Sequence, residues 1–252
     1  MNYLPLKVAV HLMSPIILDR NQPLDGILGA LIIVQPDARQ RDRENRRWLR
    51  AVRKYGYANS VEYFEARGWH IPDGPAHFVP LGTWGHGQAH GLWVYCASWA
   101  MPAGEVEIAT THFNKKIDGL LFSDWVEGDF KVDPAKGRTK AEHIPFLYSV
   151  CDVLEWHCYG LKEEITRLLD FAESIGKKRM RGFGNVREWT VEVEESNRSV
   201  WNGDMLMRPV PIELLSQVGI TGVFEKRFTT YRPPYWDGRY VAQCAVCGRR
   251  TR

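Results

Sequence analysis

The sequence predicts an α+β fold made of two split β-α-β halves, and three observations lead to it. The chain opens on a strand pattern followed directly by a helix pattern. A second strand, helix and strand run from Val153 to Val193. Between that second helix and its closing strand lies Ile-Gly-Lys-Lys-Arg-Met-Arg-Gly-Phe-Gly-Asn-Val, Ile175 to Val186, with four cationic side chains, three glycines and no acid.

The elements follow in order. Leu6, Val8, Val10 and Leu12 alternate with Lys7, Ala9, His11 and Met13. Period-two alternation marks a strand with one buried face, here ending near Pro15. Pro23 and Asp25 suit a helix start, and Leu24, Ile27, Leu28, Leu31 and Ile32 supply its buried face. The second half begins with a strand at Val153 to Cys158. From Leu161 to Ser174, Ile165, Leu168, Leu169, Ala172 and Ile175 recur at helical spacing, with charged residues between them. Gly176 falls where that helix would take its C-cap. Trp189, Val191 and Val193 then alternate with Thr190, Glu192 and Glu194 as a closing strand. Two such halves give a ferredoxin-like sheet, a layout shared with RNA-recognition folds.

The intervening residues read as insertion. Residues 38 to 54 concentrate Arg39, Arg41, Arg43, Arg46, Arg47, Arg50, Arg53 and Lys54 around Trp48, Leu49 and Val52, which predicts a basic helix. Gly68 to Gly91 reads as loops. Phe130 to His143 reads as a protruding hairpin or mobile loop carrying Lys131, Lys136, Arg138 and Lys140. The tail from Phe228 mixes Tyr231, Tyr235, Trp236 and Tyr240 with five arginines.

Composition bounds the function. The chain has 252 residues, 44% of them hydrophobic, and can bury a full core. Its net charge of +3 is too small to mark a nucleic-acid binder, so the location of the cations has to decide. No run approaches a membrane span, and the N-terminus begins a strand pattern rather than a signal peptide. The five cysteines are unevenly spaced, which fits reduced thiols in a cytoplasm.

The Ile175 to Val186 segment is suited to an anion. Glycines admit close backbone approach, Lys and Arg neutralise phosphate, and Phe183 between two glycines is placed to stack on an unpaired base. A nucleotide P-loop fits poorly, because no Gly-Lys-Ser/Thr follows and the segment leads into a strand.

Pro-Leu-Asp-Gly-Ile-Leu at Pro23 to Leu28, the glycine-rich segment and the Trp-Thr-Val-Glu that follows occur in an order and spacing that resemble the RAMP superfamily. The match is to the guide-RNA 5′-handle-binding (Cas5-group) subunits of type IV CRISPR effector complexes. The resemblance implies one elaborated domain. Its palm would cover residues 1–35 and 150–195, an insertion with a thumb hairpin 36–149, and a C-terminal extension 196–252. It implies that Lys177, Lys178, Arg179, Arg181, Gly182, Phe183 and Gly184 hold the guide-RNA handle. Lys136, Arg138 and Lys140 would belong to the thumb, by position and charge only. The implied partners are guide RNA and the backbone and large subunits of the effector, with no membrane and no cofactor; target DNA is a partner suggested by the charge of the arginine-rich helix alone. That helix has no counterpart in the family pattern, and contact with nucleic acid through Arg46, Arg50 and Arg53 and a merely solvated face both stay open.

Two other chemistries compete with a non-catalytic role. A metal-independent endoribonuclease acting on repeat RNA would need a general base and an acid beside a phosphate site. His112, His143 and His157 are candidates, with Lys115 and Tyr148 nearby in sequence; none forms a recognisable pair, and His157 reads as structural. Cys244-Ala-Val-Cys247 has zinc-knuckle spacing that His86 and His90 could complete, but it lacks a second local pair, so no metal site is expected.

Overall fold

A computed structural model describes residues 2–18, 22–34, 79–85, 92–115, 133, 135–136, 140–235 and 237–250. The basic segment at 38 to 54, with Arg46, Arg50 and Arg53, lies outside these residues, as do Arg138, His86 and His90.

The described chain is a strand-rich α+β fold with few helices. Strand β1 (Leu4–Leu12) leads to helix α1 (Leu24–Val34). Short strands β2 (Thr83–Gly85), β3 (Trp93–Tyr95) and β4 (Met101–Ala103) follow, then the long pair β5 (Glu107–Lys115) and β6 (Glu142–Val150). Next come β7 (Val153–Gly160), α2 (Lys162–Leu169) and β8 (Val186–Val193). The last part holds β9 (Trp201–Asn202), β10 (Met205–Leu206), β11 (Val210–Pro211), α3 (Ile212–Gln217), β12 (Gly222–Thr230) and β13 (Val241–Arg250).

The first sheet runs β4-β7-β1-β8, with every neighbouring pair antiparallel. Val8 of β1 stands opposite Trp156 of β7 and Val191 of β8, so three apolar side chains share one face. Both helices pack there: Leu6, Val8, Val10, Leu24, Leu28, Leu154, Trp156, Ile165, Leu168 and Leu169 form one buried cluster. The opposite face is polar. Lys7 lies 3.7 Å from Glu155 and 3.1 Å from Glu192.

The second sheet is ordered β11-β13-β10-β9, with β12 along the other side of β13. Its core gathers Val94, Cys96, Val200, Leu206, Val210, Leu214, Leu215, Tyr231 and Tyr240. Strand β3 serves both cores, because alternate side chains leave a strand on opposite faces. Trp93 and Tyr95 join the first cluster, Val94 and Cys96 the second. The tail is therefore built into the fold, with Tyr231 and Tyr240 buried in it and Phe228 left exposed. Arg232 lies 4.2 Å from the Trp93 ring centroid and 4.3 Å from that of Tyr240.

Several sequence expectations change. The second helix stops at Leu169 instead of reaching Ser174. Ser174 bridges Asn185, and the Val186 amide donates to the Glu173 carbonyl at 2.9 Å, so this stretch runs alongside the start of β8 and cannot stay helical. Ala172 and Ile175 are buried all the same, which explains why they fit the helical pattern. Gly176 is consequently no C-cap; its φ of +82° serves a close approach to Ile17. Inside the stretch expected to be loop, Thr83–Gly85 pairs with β3. In the closing strand Val193 is exposed, whereas just beyond it the Glu194 side chain is only 8% exposed and accepts from His157 Nδ1 at 2.8 Å. Among the described residues, no helix is long and apolar enough to cross a membrane.

Candidate nucleic-acid interface

The cationic segment begins where α2 has ended and closes onto the start of β8. Lys178 adopts a left-handed backbone with φ 58° and ψ 29°, and Arg179–Arg181 form one 3₁₀ turn closed by Gly182 at φ 83°. Left-handed backbone costs an L-residue with a side chain about 1–2 kcal/mol. The surroundings hold the turn in place: the Ile175 amide donates to Gly184 O at 2.9 Å, Lys177 to Ile17 O at 2.9 Å, and Gly184 to Pro15 O at 2.8 Å. Arg181 and Gly182 amides close the turn itself.

Those bonds alter how the segment can meet an anion. The amides of Ile175, Lys177, Arg181, Gly182 and Gly184 are engaged internally, so the expected cradle of backbone donors is largely taken up. Side chains remain. Lys177, Lys178, Arg179 and Arg181 are all exposed, as is Met180 between them. Phe183 is half-buried instead of free to stack: its ring centroid lies 5.9 Å from that of Phe146 and 5.7 Å from that of Tyr148, both on β6. Arg181 reaches the same ribbon, its guanidinium 3.5 Å from the centroid of Phe113 on β5. The turn thus docks on the inner face of the β5-β6 ribbon through an aromatic cluster and a cation-π contact.

The ribbon corresponds to the expected hairpin but starts earlier. Its strands pair from Glu107 opposite Val150 to Lys115 opposite Glu142. Residues 116 to 141 lie between them, where the exposed Lys136 and Lys140 are described. Asp133 Oδ1 accepts from the Ala135 amide at 2.9 Å, a local turn beside Lys136. On the outer face the strand register brings together two histidines that are far apart in sequence. His112 and His143 stack with centroids 4.4 Å apart and planes 14° from parallel, and His143 Nδ1 meets Asn114 Oδ1. Cross-strand register was the missing information.

On its other side the turn borders a cavity of about 380 Å³ between α1 and the segment after α2. Gly26, Ala30 and Leu31 of α1 line it, facing Ile175 and Gly176, with Lys177, Arg179 and Tyr235 completing the wall. Beneath it lies a pair the sequence did not disclose: Asp25, in the first turn of α1, is fully buried and ion-paired with the equally buried Arg208 at 3.1 Å. Burial pushes the Asp25 carboxyl up, against the pull of Arg208 and Tyr235.

Cys244 is buried on β13, and burial pushes its thiol up to about 12. That is a poor starting point for a thiolate ligand. Among the described residues, no three His, Cys, Asp or Glu side chains converge as metal ligands. Cys96, Cys151 and Cys158 are buried free thiols shifted in the same direction by burial. Unfolding exposes all four, so the unfolded chain releases their protons first as pH rises. The stability they contribute is complete below about pH 9, the ordinary thiol value, and is lost as pH climbs from there toward 12. Urea unfolding midpoints should therefore fall between pH 8 and pH 10, and less so in a Cys244→Ala variant; identical falls in both would remove Cys244 from the account.

Residues 91–247, more than half of the chain and including the ribbon and the cationic turn, match the family model described as CRISPR type IV associated protein Csf3. No curated protein matches the chain.

Proposed function

Because this chain belongs to the Csf3 family of CRISPR type IV associated proteins, and so is a type IV CRISPR subunit, we propose that it is a non-catalytic, RNA-binding RAMP subunit of the effector ribonucleoprotein. In this reading it holds the 5′ handle of the guide RNA and docks onto the backbone and large subunits. The sheet order β4-β7-β1-β8 with two helices on one face supports a ferredoxin-like palm, and the β5-β6 ribbon supports the thumb. One observation carries the RNA assignment: four exposed cations on a turn that contains no acid and is pinned from both sides. The strained Lys178 backbone supports it further, since such strain persists where the surroundings over-determine a functional geometry. The sheet's polar face is the weaker candidate, because Glu155 and Glu192 there would repel phosphate.

The test neutralises the turn. Lys177, Lys178, Arg179 and Arg181 are replaced together by Ala and repeat RNA binding is titrated across salt. The slope of log affinity against log salt should flatten by roughly two to three, as expected for four lost phosphate contacts on a single strand. An unchanged slope with unchanged affinity would favour a purely docking protein.

Among the described residues, the stacked His112 and His143 give the endoribonuclease alternative its geometric support. A general acid and a general base act from opposite sides of the scissile phosphate, and parallel rings 4.4 Å apart leave no room for one between them. Labelled repeat RNA incubated without metal should be retained uncut; defined cleavage abolished by His143→Ala would reverse this assignment.

A further inference from the structure

We infer that the cavity between α1 and the cationic turn is a pocket for one unpaired nucleobase, flipped out of the strand that the turn holds; this rests on the RNA-binding reading above. The turn by itself has no free ring to seat a base. Phe183, the aromatic ring placed by sequence to stack on a base, is already packed against Phe146 and Tyr148. The engaged amides leave the turn to act through charge, which holds a backbone without reading or seating any base.

The adjoining cavity supplies the missing part. Its volume of about 380 Å³ lies within the range of small-molecule sites, which are mostly apolar with a few placed polar groups. The walls follow that pattern. Ile27, Leu31 and Ile175 give apolar surface, and Gly26 and Ala30, one helical turn apart on α1, leave the space open. Gly26 also admits the Tyr235 ring, which a Cβ there would meet at 3.0 Å. Tyr235 is fixed by its hydroxyl, which donates to Asp25 Oδ1 at 2.9 Å. The wall is therefore built from the buried core outward. Lys177 and Arg179 belong to the same lining, so an occupant with an apolar flat body and an attached phosphate satisfies both parts. A nucleotide of the bound strand has that chemistry; an apolar peptide side chain offers nothing to Arg179.

Ala30 is exposed on α1, so a larger residue there fills the cavity without entering the core. The experiment uses the full-length chain and single-stranded repeat RNA carrying one abasic site at each position in turn. Wild type is expected to lose about tenfold in affinity at one position and little elsewhere, the scale of one stacked base. Ala30→Trp should lose the same factor on intact RNA and become indifferent to that abasic site, with Ala30→Leu intermediate and thermal unfolding unchanged in both. No sensitive position in wild type, or an Ala30→Trp variant with wild-type affinity and abasic profile, overturns the pocket while leaving the turn's role intact. Loss of effector assembly in Ala30→Trp with RNA binding unaltered assigns the cavity to a protein partner and likewise overturns it. A wild type that binds no repeat RNA overturns the pocket and the RNA-binding reading together.

Discussion

Arg208→Met is expected to destabilise the fold by about 3–5 kcal/mol, the usual consequence of removing one partner from a buried ion pair. Arg208 and Asp25 are both 0% exposed and lie 3.1 Å apart. The guanidinium also donates to the carbonyls of Tyr95, Ala97 at 3.1 Å and Tyr231 at 2.7 Å, and to the Tyr235 hydroxyl at 3.3 Å. One side chain thus ties α1, the β3 region and the tail together, where the two hydrophobic clusters meet. Met fills much of the volume but leaves the Asp25 carboxylate without its counter-charge, although the Gly26 amide and the Tyr235 hydroxyl still donate to it. The Ala97 and Tyr231 carbonyls lose their Arg208 donor, at about 1–3 kcal/mol for a buried acceptor left alone, whereas Tyr95 O keeps the Ala97 amide at 2.9 Å. Burial already pushes the Asp25 carboxyl up, so without Arg208 the group protonates instead of remaining charged. Replacing both partners, Asp25→Leu with Arg208→Met, should recover only part of the loss, since the carbonyls of Ala97 and Tyr231 still lack the Arg208 donor. Urea unfolding followed by tryptophan fluorescence measures this. A single variant within about 1 kcal/mol of wild type would show that the pair is not the link between the cores.

Gly184→Ala and Gly182→Ala separate space from backbone conformation. Both glycines have positive φ, +68° and +83°. A Cβ at Gly182 meets nothing within 4 Å, whereas at Gly184 it would lie 1.9 Å from the Ile175 carbonyl oxygen. Gly182→Ala should therefore cost about 1–2 kcal/mol, the penalty of left-handed backbone alone. Gly184→Ala adds the displacement of backbone that makes two hydrogen bonds, from Ile175 and to Pro15, for a total of about 3–4 kcal/mol. It should also lower RNA affinity more than Gly182→Ala does, because it moves the platform under Lys177 to Arg181. Equal effects of the two substitutions on stability would mean that the turn relaxes around the new methyl group.

Local patterning records contacts only between residues close together along the chain. Leu6, Val8, Val10 and Leu12 announced a buried strand face, and all four are buried. Leu24 and Leu28 did the same for α1, and Ile165, Leu168 and Leu169 for α2. The exposed cationic turn was legible because a run of Lys and Arg is costly to bury and favours the surface. Ala172 and Ile175 show the limit of such patterns: their spacing reported burial correctly and helix wrongly, because the bridge from Ser174 to Asn185 decides the backbone there.

By itself, then, the sequence determined which faces are apolar, which turn concentrates cations and where glycine is needed, since each is a property of neighbours a few residues apart. Only the tertiary structure decided what those groups meet. Asp25 finds Arg208 across 183 positions, His112 finds His143 through strand register, and Phe183 gives its ring to Phe146 and Tyr148 instead of leaving it exposed. Such partners are selected by packing between distant segments, which no local periodicity records. The turn's charge was written in the chain; the cavity beside it exists only because α1 and the segment after α2 come together.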